Sequence, residues 1–315
     1  MADYLDFERP VAELRERVAE LTRANAGADV DISAEVDRIA TKADRLLAET
    51  YAQLTPWQKT QVARHPHRPH FKDYVAAMVA DFLPLAGDRA YADDQAILGG
   101  LGRIGNHRVV VIGHEKGDDT ASRLRHNFGM AKPEGYRKAI RLMDLADRFG
   151  LPVVTLVDTS GAFPGVQAEE RGQAEAIARS TERCLALGVP IVAAIVGEGG
   201  SGGAIAIAAG NRVMMFEHAV YSVISPEGCA SILWRSSERA SDAAVAMRIT
   251  AADLLRLGVV DEVIGEPVGG AHRDPAAAIA SLGDAITRSL DELAALSPDA
   301  LRRDRRERFL ALGNF

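Results

Sequence analysis

A chain of 315 residues, 47% hydrophobic and 26% charged, has the make-up of an ordinary globular protein, large enough for one α/β domain or two smaller ones. Its formal charge of −7 argues against nucleic acid as a main partner, and its longest apolar runs are strand-length, far short of the roughly 20 residues that span a bilayer, so no membrane partner is expected. The acidic opening, Met1-Ala2-Asp3-Tyr4-Leu5-Asp6, lacks an apolar signal-peptide core, and the only cysteines, Cys184 and Cys229, have no zinc or redox spacing; a cytoplasmic location and two buried free thiols are expected.

The first 60 residues are helical in pattern. Val11, Leu14, Val18 and Leu21 recur at 3–4 spacing, as do Val36, Ile39, Ala43 and Leu46. The break from Asn25 to Ser33 predicts a helical hairpin, packed on the core or on another subunit. His65-Pro66-His67-Arg68-Pro69-His70 brings histidines together as a metal site would, but its prolines impose an extended path with diverging side chains. A rigid surface segment is the simpler expectation. Residues 71–82 then read as a helix ended by Pro84 and Gly87. Gly100-Leu101-Gly102-Arg103-Ile104-Gly105 matches the dinucleotide fingerprint, yet no strand precedes it, and a strand (108–112) follows where a helix should start. It reads as a turn feeding a β-hairpin.

From Gly135 the chain becomes regular. A helix (136–149) ends at Gly150, and a fully apolar strand (153–157) runs into Asp158-Thr159-Ser160-Gly161-Ala162-Phe163-Pro164-Gly165. A helix (169–187) closed by Gly188, a second apolar strand (189–196), the segment Gly197-Glu198-Gly199-Gly200-Ser201-Gly202-Gly203, a short helix and a third strand (213–216) follow. Alternating helices and continuously apolar strands predict an α/β fold with a parallel sheet covered on both faces. Ligands of such sheets bind beyond the carboxyl ends of the strands. Segments 158–165 and 197–203 both lie there and are predicted to be neighbours.

Three chemistries use a glycine segment between strand and helix. The first is nucleotide binding: residues 197–202 fit G-x-G-x-x-G, with Glu217 ending the next strand, but the following helix is barely two turns and no Gly-Lys-Ser/Thr follows. The second is a serine hydrolase: Ser201 sits in G-x-S-x-G, and Asp261 and His272 follow in hydrolase order, though Asp261 reads as a strand start and nothing brings His272 near Ser201. The third is an oxyanion hole, in which the N–H groups of Gly202 and Gly203 hold a developing negative oxygen and Gly161, Ala162 or Gly165 add donors. Glycine would let a substrate reach the backbone, and five glycines exceed what a tight turn needs. Gly161, Ala162, Gly165, Gly199 and Gly200 are the candidate substrate-binding residues.

The stretches GEGGSGGAIAI (197–207), YSVISPEGCASILW (221–234), PEGYRKAIR (133–141), 158–165 with AEERGQ (168–173), and GGAHR (269–273) closely resemble the α subunit of bacterial acetyl-CoA carboxylase carboxyltransferase, over nearly the whole chain. Residues 249–263 also look like the helix-to-strand stretch of the wider crotonase superfamily. The resemblance implies a crotonase-like ββα superhelix with an N-terminal helical region. It divides the chain into an N-terminal helix (1–34), a carboxyltransferase domain (35–295) whose first part (35–90) is helical, and a charged helical tail (296–315).

The activity it implies is transfer of a carboxyl group from carboxybiotin, borne by a biotin carboxyl carrier protein, to acetyl-CoA, giving malonyl-CoA. A separate β subunit would carry the CoA-binding half and a zinc ribbon, in an α2β2 assembly that works with biotin carboxylase. This chain would be active only with that partner and would hold no metal. Gly202 and Gly203 would donate to the biotin oxygen, and no protein base is required. Glu198 is assigned no proton and reads as a surface or loop-bracing carboxylate. Ser160 stands where relatives usually have proline, and Phe163 where tyrosine is common; neither removes a backbone donor. The basic run 302–308 reads as a solvated helix face, with contact to a carrier or another subunit as the alternative.

Overall fold

The computed structural model describes residues 4–25 and 32–313. Helices α1 (Arg9–Asn25) and α2 (Ser33–Tyr51) pack together as the hairpin expected from their apolar spacing; the connection at 26–31 lies outside the described residues. They are tied to the body of the protein by Glu8. This buried carboxylate accepts from the Tyr51 hydroxyl at 3.0 Å and from Arg273 at 2.9 Å. Helix α3 (Pro56–Ala63) begins at a Thr55 cap, and α4 (Phe71–Met78) follows the histidine segment.

The predicted helix over 71–82 is only half right. Past Met78 the chain turns into an edge strand, β1 (Ala80–Pro84), paired antiparallel with β2 (Ile97–Ile104). The glycines of the dinucleotide-like motif explain this. Gly100 and Gly102 lie within β2 rather than in a turn, and side chains there would run into Leu83 and Val79 of the chain crossing them. Only Gly105, at φ +53, turns the hairpin into β3 (His107–His114).

After α5 (Thr120–Arg125), α6 (Pro133–Phe149) ends on the left-handed Gly150 as predicted and packs on β2 and β3. Strand β4 (Val153–Thr159) and strand β5 (Ile191–Gly200) are buried at every residue, which is why their sequences are unbroken apolar runs. The predicted single helix between them is two: α7 (Val166–Glu170) and α8 (Gln173–Ala186), divided at Gly172, φ +81. Gly188 does not close α8 in a left-handed cap; its N–H is taken at 2.8 Å by the Asp147 carboxylate.

Helix α9 (Ser201–Ala208) leads to β6 (Arg212–Phe216) and β7 (Val220–Ser222), then α10 (Pro226–Trp234), α11 (Ala240–Met247), α12 (Ala251–Arg256), β8 (Glu262–Ile264), α13 (Pro275–Ala294) and α14 (Pro298–Ala311). The sheet order is β1-β2-β3-β4-β5-β6-β8, parallel from β3 onward, with β7 pairing the far end of β5 beyond β6. Helices α6, α8 and α9 pack on one another, and α13 lies against β5 and β8.

The basic tail is a solvated face only in part: Arg303, Arg306 and Glu307 are exposed, and the other arginines are held by the protein. In α14, Arg305 is fully buried and donates to the Val189 carbonyl at 2.9 Å and the Asn211 amide oxygen at 2.7 Å. Arg302 reaches the Ala186 carbonyl, and Arg308 reaches the Val259 carbonyl and the Asp261 carboxylate. These acceptors lie where the chain enters β5, β6 and β8, so the helix seals the amino end of the sheet. Of the two thiols, Cys184 is buried as expected, and Cys229 is only half-buried. Among the described residues no helix is long and apolar enough to cross a membrane.

Candidate functional site

The glycine segment is not a loop. Strand β5 runs through Gly200, which pairs with Ser222 of β7, and α9 starts at the next residue, Ser201, held at φ +50. Most of the glycines answer to packing. A Cβ on Gly199 would stand 2.8 Å from the Tyr221 ring, and one on Gly203 would stand 2.7 Å from the Gly161 carbonyl carbon. Gly197 and Gly200 face Asp158 and the Ser160 carbonyl even more closely. Gly202 differs: its nearest neighbours are Ile177 side-chain carbons at 3.4 Å. The glycine surplus seen in sequence is therefore largely a packing requirement.

The N–H groups of Gly202 and Gly203 fall in the first turn of α9, where no carbonyl lies four residues behind them, and no side chain caps the helix. Gly202 and Ser201 open onto a cleft of about 620 Å³ with apolar walls, among them Ile205, Tyr221, Met247 and Leu254. Burial pushes the Tyr221 phenol up to about 12, so it stays neutral. Among the described residues, no carboxylate, lysine or histidine lines this cleft.

Segment 158–165 lies beside 197–203 as predicted: Thr159 pairs with Gly199, and Gly161 and Ala162 abut Gly203. Its predicted donors are less available than the sequence indicated. The Gly161 N–H donates at 3.1 Å to the Thr159 hydroxyl, which in turn donates to the Gly161 carbonyl at 2.8 Å. Gly165 is the N-cap of α7 and is covered by the Phe163 ring. Gly199 and Gly200 are buried within the sheet and do not line the cleft. The Gln173 amide fastens the segment, donating to the carbonyls of Ala131 at 2.8 Å and Phe163 at 3.0 Å.

The competing chemistries are not assembled. Asp261 accepts the Val213 N–H at 2.7 Å and pairs with Arg308, at the opposite end of the sheet from Ser201. His272 stacks on His65 with ring centroids 3.7 Å apart, and burial, reinforced by the nearby His65, pushes it down to about 3. Glu217 turns away from the cleft to accept the Glu266 N–H. The histidine segment is not a surface element with diverging rings: His65 meets both His272 and His67, and Arg68 is buried. Arg68 grips the Glu266 carboxylate at 2.8 and 3.0 Å and the Val196 carbonyl at 2.8 Å. Against a burial that would raise it, that guanidinium draws Glu266 down to about 2. Among the described residues no group of three side chains could hold a metal.

Around the turn, Lys116, His114 and Arg64 carried no sequence signal, and the partners of Asp158 and Glu198 were not legible. Asp158 accepts the Glu198 N–H at 2.8 Å and pairs with Lys116 at 2.6 Å. Beside it His114 is fully buried; burial drives it down to about 4, although Asp158 opposes this. Glu198 is buried and paired with Arg64 at 2.7 Å, so it braces the segment and is not a surface group.

Residues 4–313 match the family model described as acetyl co-enzyme A carboxylase carboxyltransferase-like. A Rhizorhabdus wittichii protein named acetyl-coenzyme A carboxylase carboxyl transferase subunit alpha is 73% identical over 313 residues, covering 99% of this chain and 100% of that one. The same-named protein of Sphingopyxis alaskensis is 68% identical, covering 99% of each. The chain belongs to the acetyl-CoA carboxylase carboxyltransferase α-subunit family.

Among solved structures, transcarboxylase 12S with methylmalonyl-coenzyme A bound superposes with a TM-score of 0.59 at 20% identity, over 72% of this chain and 42% of that one. The β subunit of Pseudomonas aeruginosa geranyl-CoA carboxylase gives 0.57 at 16% identity, over 79% and 46%. This chain thus spans less than half the length of those two. The likeness establishes the crotonase-type carboxyltransferase fold expected from the sequence. In this chain Ser201 belongs to the turn and has neither Asp261 nor His272 beside it.

Proposed function

We propose that this chain supplies the biotin-facing half of a two-subunit site that moves a carboxyl group from carboxybiotin to acetyl-CoA, giving malonyl-CoA. The observation that carries the reading is the uncapped first turn of α9, opening at Gly202 onto an apolar cleft at the carboxyl end of β5. Carboxybiotin supplies the carboxyl group, and its ureido oxygen gathers negative charge as that group leaves. The residues present fit this partner. Two backbone donors at a helix start favour a negative oxygen, and at Gly202 no side chain blocks the approach. Ala162 lies beside this pair as a further backbone contact, while Gly161, Gly165, Gly199 and Gly200 shape the turn.

The cleft walls are apolar, and once a partner closes over them they would exclude water and strengthen those hydrogen bonds. With no ionisable base lining the cleft, this chain stabilises charge and leaves proton transfer to the reacting molecules. Val223, Ile232 and Leu233, exposed at the cleft and along α10, form the surface on which a β subunit carrying the CoA-binding half and a zinc ribbon would close. The assembly is α2β2, served in the cytoplasm by a biotin carboxyl carrier protein and biotin carboxylase. Residues 1–34 and 296–315 flank a transferase domain at 35–295.

Reconstitution tests this. The chain with its β partner should form malonyl-CoA from acetyl-CoA and carboxybiotin, and the chain alone should not. Full-rate transfer by the isolated chain would refute the shared site.

A further inference from the structure

Arg64 follows α3 directly and lies far in sequence from both glycine segments, yet its guanidinium reaches β5, the strand that carries the second of them. Nε and Nη2 donate to Glu198 Oε1 at 3.1 and 2.7 Å; Nη1 donates to Glu227 Oε1 at 2.6 Å, and Nη2 to Glu227 Oε2 at 3.4 Å. One fork thus spans two carboxylates on two elements. Glu198 is in β5, three residues before Ser201, and is buried; Glu227 is in the first turn of α10. The chain between β7 and α10 includes Val223, and Tyr221, Ser222 and Val223 line the cleft opposite the start of α9. β7 is already paired to β5 by its backbone, and behind that ladder a single side chain also ties β5 to the start of α10.

We propose that Arg64 is a positioning residue for carboxyl transfer, setting the placement of Val223 and the start of α10 relative to the Gly202 turn by clamping Glu198 to Glu227. This rests on the biotin-facing reading of the cleft. Two physical points support it. A planar guanidinium holds two carboxylates in a fixed relative orientation, which a lysine ammonium, as a point charge, does not. Arg64 also neutralises charge that would otherwise oppose the negative oxygen at Gly202. Without it, Glu198 and Glu227 would stand together unpaired beside a site whose transition state gathers negative charge. Against its partial burial, the two carboxylates hold the Arg64 guanidinium above the ordinary arginine range.

The test uses the reconstituted αβ enzyme with acetyl-CoA and carboxylated biocytin. Misplacing a reacting group by about 1 Å costs on the order of 100-fold in rate. Arg64→Gln should therefore lower kcat about 100-fold while the KM for acetyl-CoA, held by the partner, stays within about twofold. Arg64→Lys keeps the charge and loses the fork, and should recover no more than about a tenth of wild-type kcat. Glu227→Gln, at a half-buried position, keeps the fold and should lower kcat about tenfold with an unchanged melting temperature. Wild-type kcat in Arg64→Gln overturns the proposal. So does unchanged kcat in Glu227→Gln where Arg64→Gln fails to fold, since Arg64 would then be structural only. Gly202→Val separates the two levels: if it leaves transfer intact, the cleft assignment itself fails, whatever Arg64 does.

Discussion

The two ends of the parallel sheet are finished in opposite ways. At the amino end, α14 lays Arg302, Arg305 and Arg308 onto carbonyls and the Asp261 carboxylate, so polar groups there are met by protein. At the carboxyl end, α9 starts without a side-chain cap, and Gly202 borders the cleft. Arginine at one end and glycine at the other reflect one accounting: backbone polar groups must be satisfied, and where the protein does not satisfy them a ligand can. The amino end is finished for stability, the carboxyl end for function.

This contrast can be broken most sharply at Gly202. Gly202→Val in the assembled enzyme should lower carboxyl transfer by at least about 100-fold, because its side chain would keep the negative oxygen away from the helix start, and losing even one oxyanion contact typically costs about 3 kcal/mol. Its melting temperature should stay near wild type, because Ile177 at 3.4 Å can yield. Gly203→Val should instead lose stability, because its Cβ would enter the Gly161 backbone at 2.7 Å. Equal effects of the two variants on both readouts would erase the distinction between open and packed glycines.

At the amino end, Arg305→Ala should cost about 3 kcal/mol in urea unfolding, through a cavity and unpaired acceptors at Val189 and Asn211, with little change in kcat once folded. A loss of kcat without loss of stability would show that this end also serves the reaction.

A comparable effect should appear with pH. His114 and His272 have folded-state values of about 4 and about 3, below the 6.5 of the unfolded chain. Between these values the unfolded chain binds protons that the folded one refuses, so stability falls as pH drops from about 6.5 toward 4. For His114 the full difference corresponds to about 3 kcal/mol. His114→Asn should flatten the slope of unfolding free energy against pH in that window; an unchanged slope would show that His114 is not held neutral.

The smallest effect belongs to Ser201. Ser201→Ala should change kcat less than about threefold, and a fluorophosphonate probe should leave the protein unlabelled. Ser201→Gly should stabilise by about 0.5 kcal/mol by relieving the positive φ.

Much of the fold was legible because it is periodic and local. Strands β4 and β5 announce themselves as unbroken apolar runs, since both faces are covered, and helices α1, α2 and α6 show their buried stripe. The stretch at 71–82 misled because whether apolar residues curl or extend there is decided by the glycines of β2, some twenty residues later. The tail misled because helical arginines look alike in sequence, whether a carbonyl or water meets them.

By itself the sequence determined the strand–helix junction at 197–203, the neighbouring segment at 158–165, and the family to which the chain belongs. These depend on residue type and spacing along the chain. Only the tertiary structure decided which glycine is open, that the Gly161 N–H is already spent, that Asp261 and His272 stand apart from Ser201, and that Arg64 reaches Glu198 and Glu227, 134 and 163 residues further along the chain. Glycines required by a neighbour and glycines left free for a ligand are the same letter. What separates them is the distance to atoms brought close by folding.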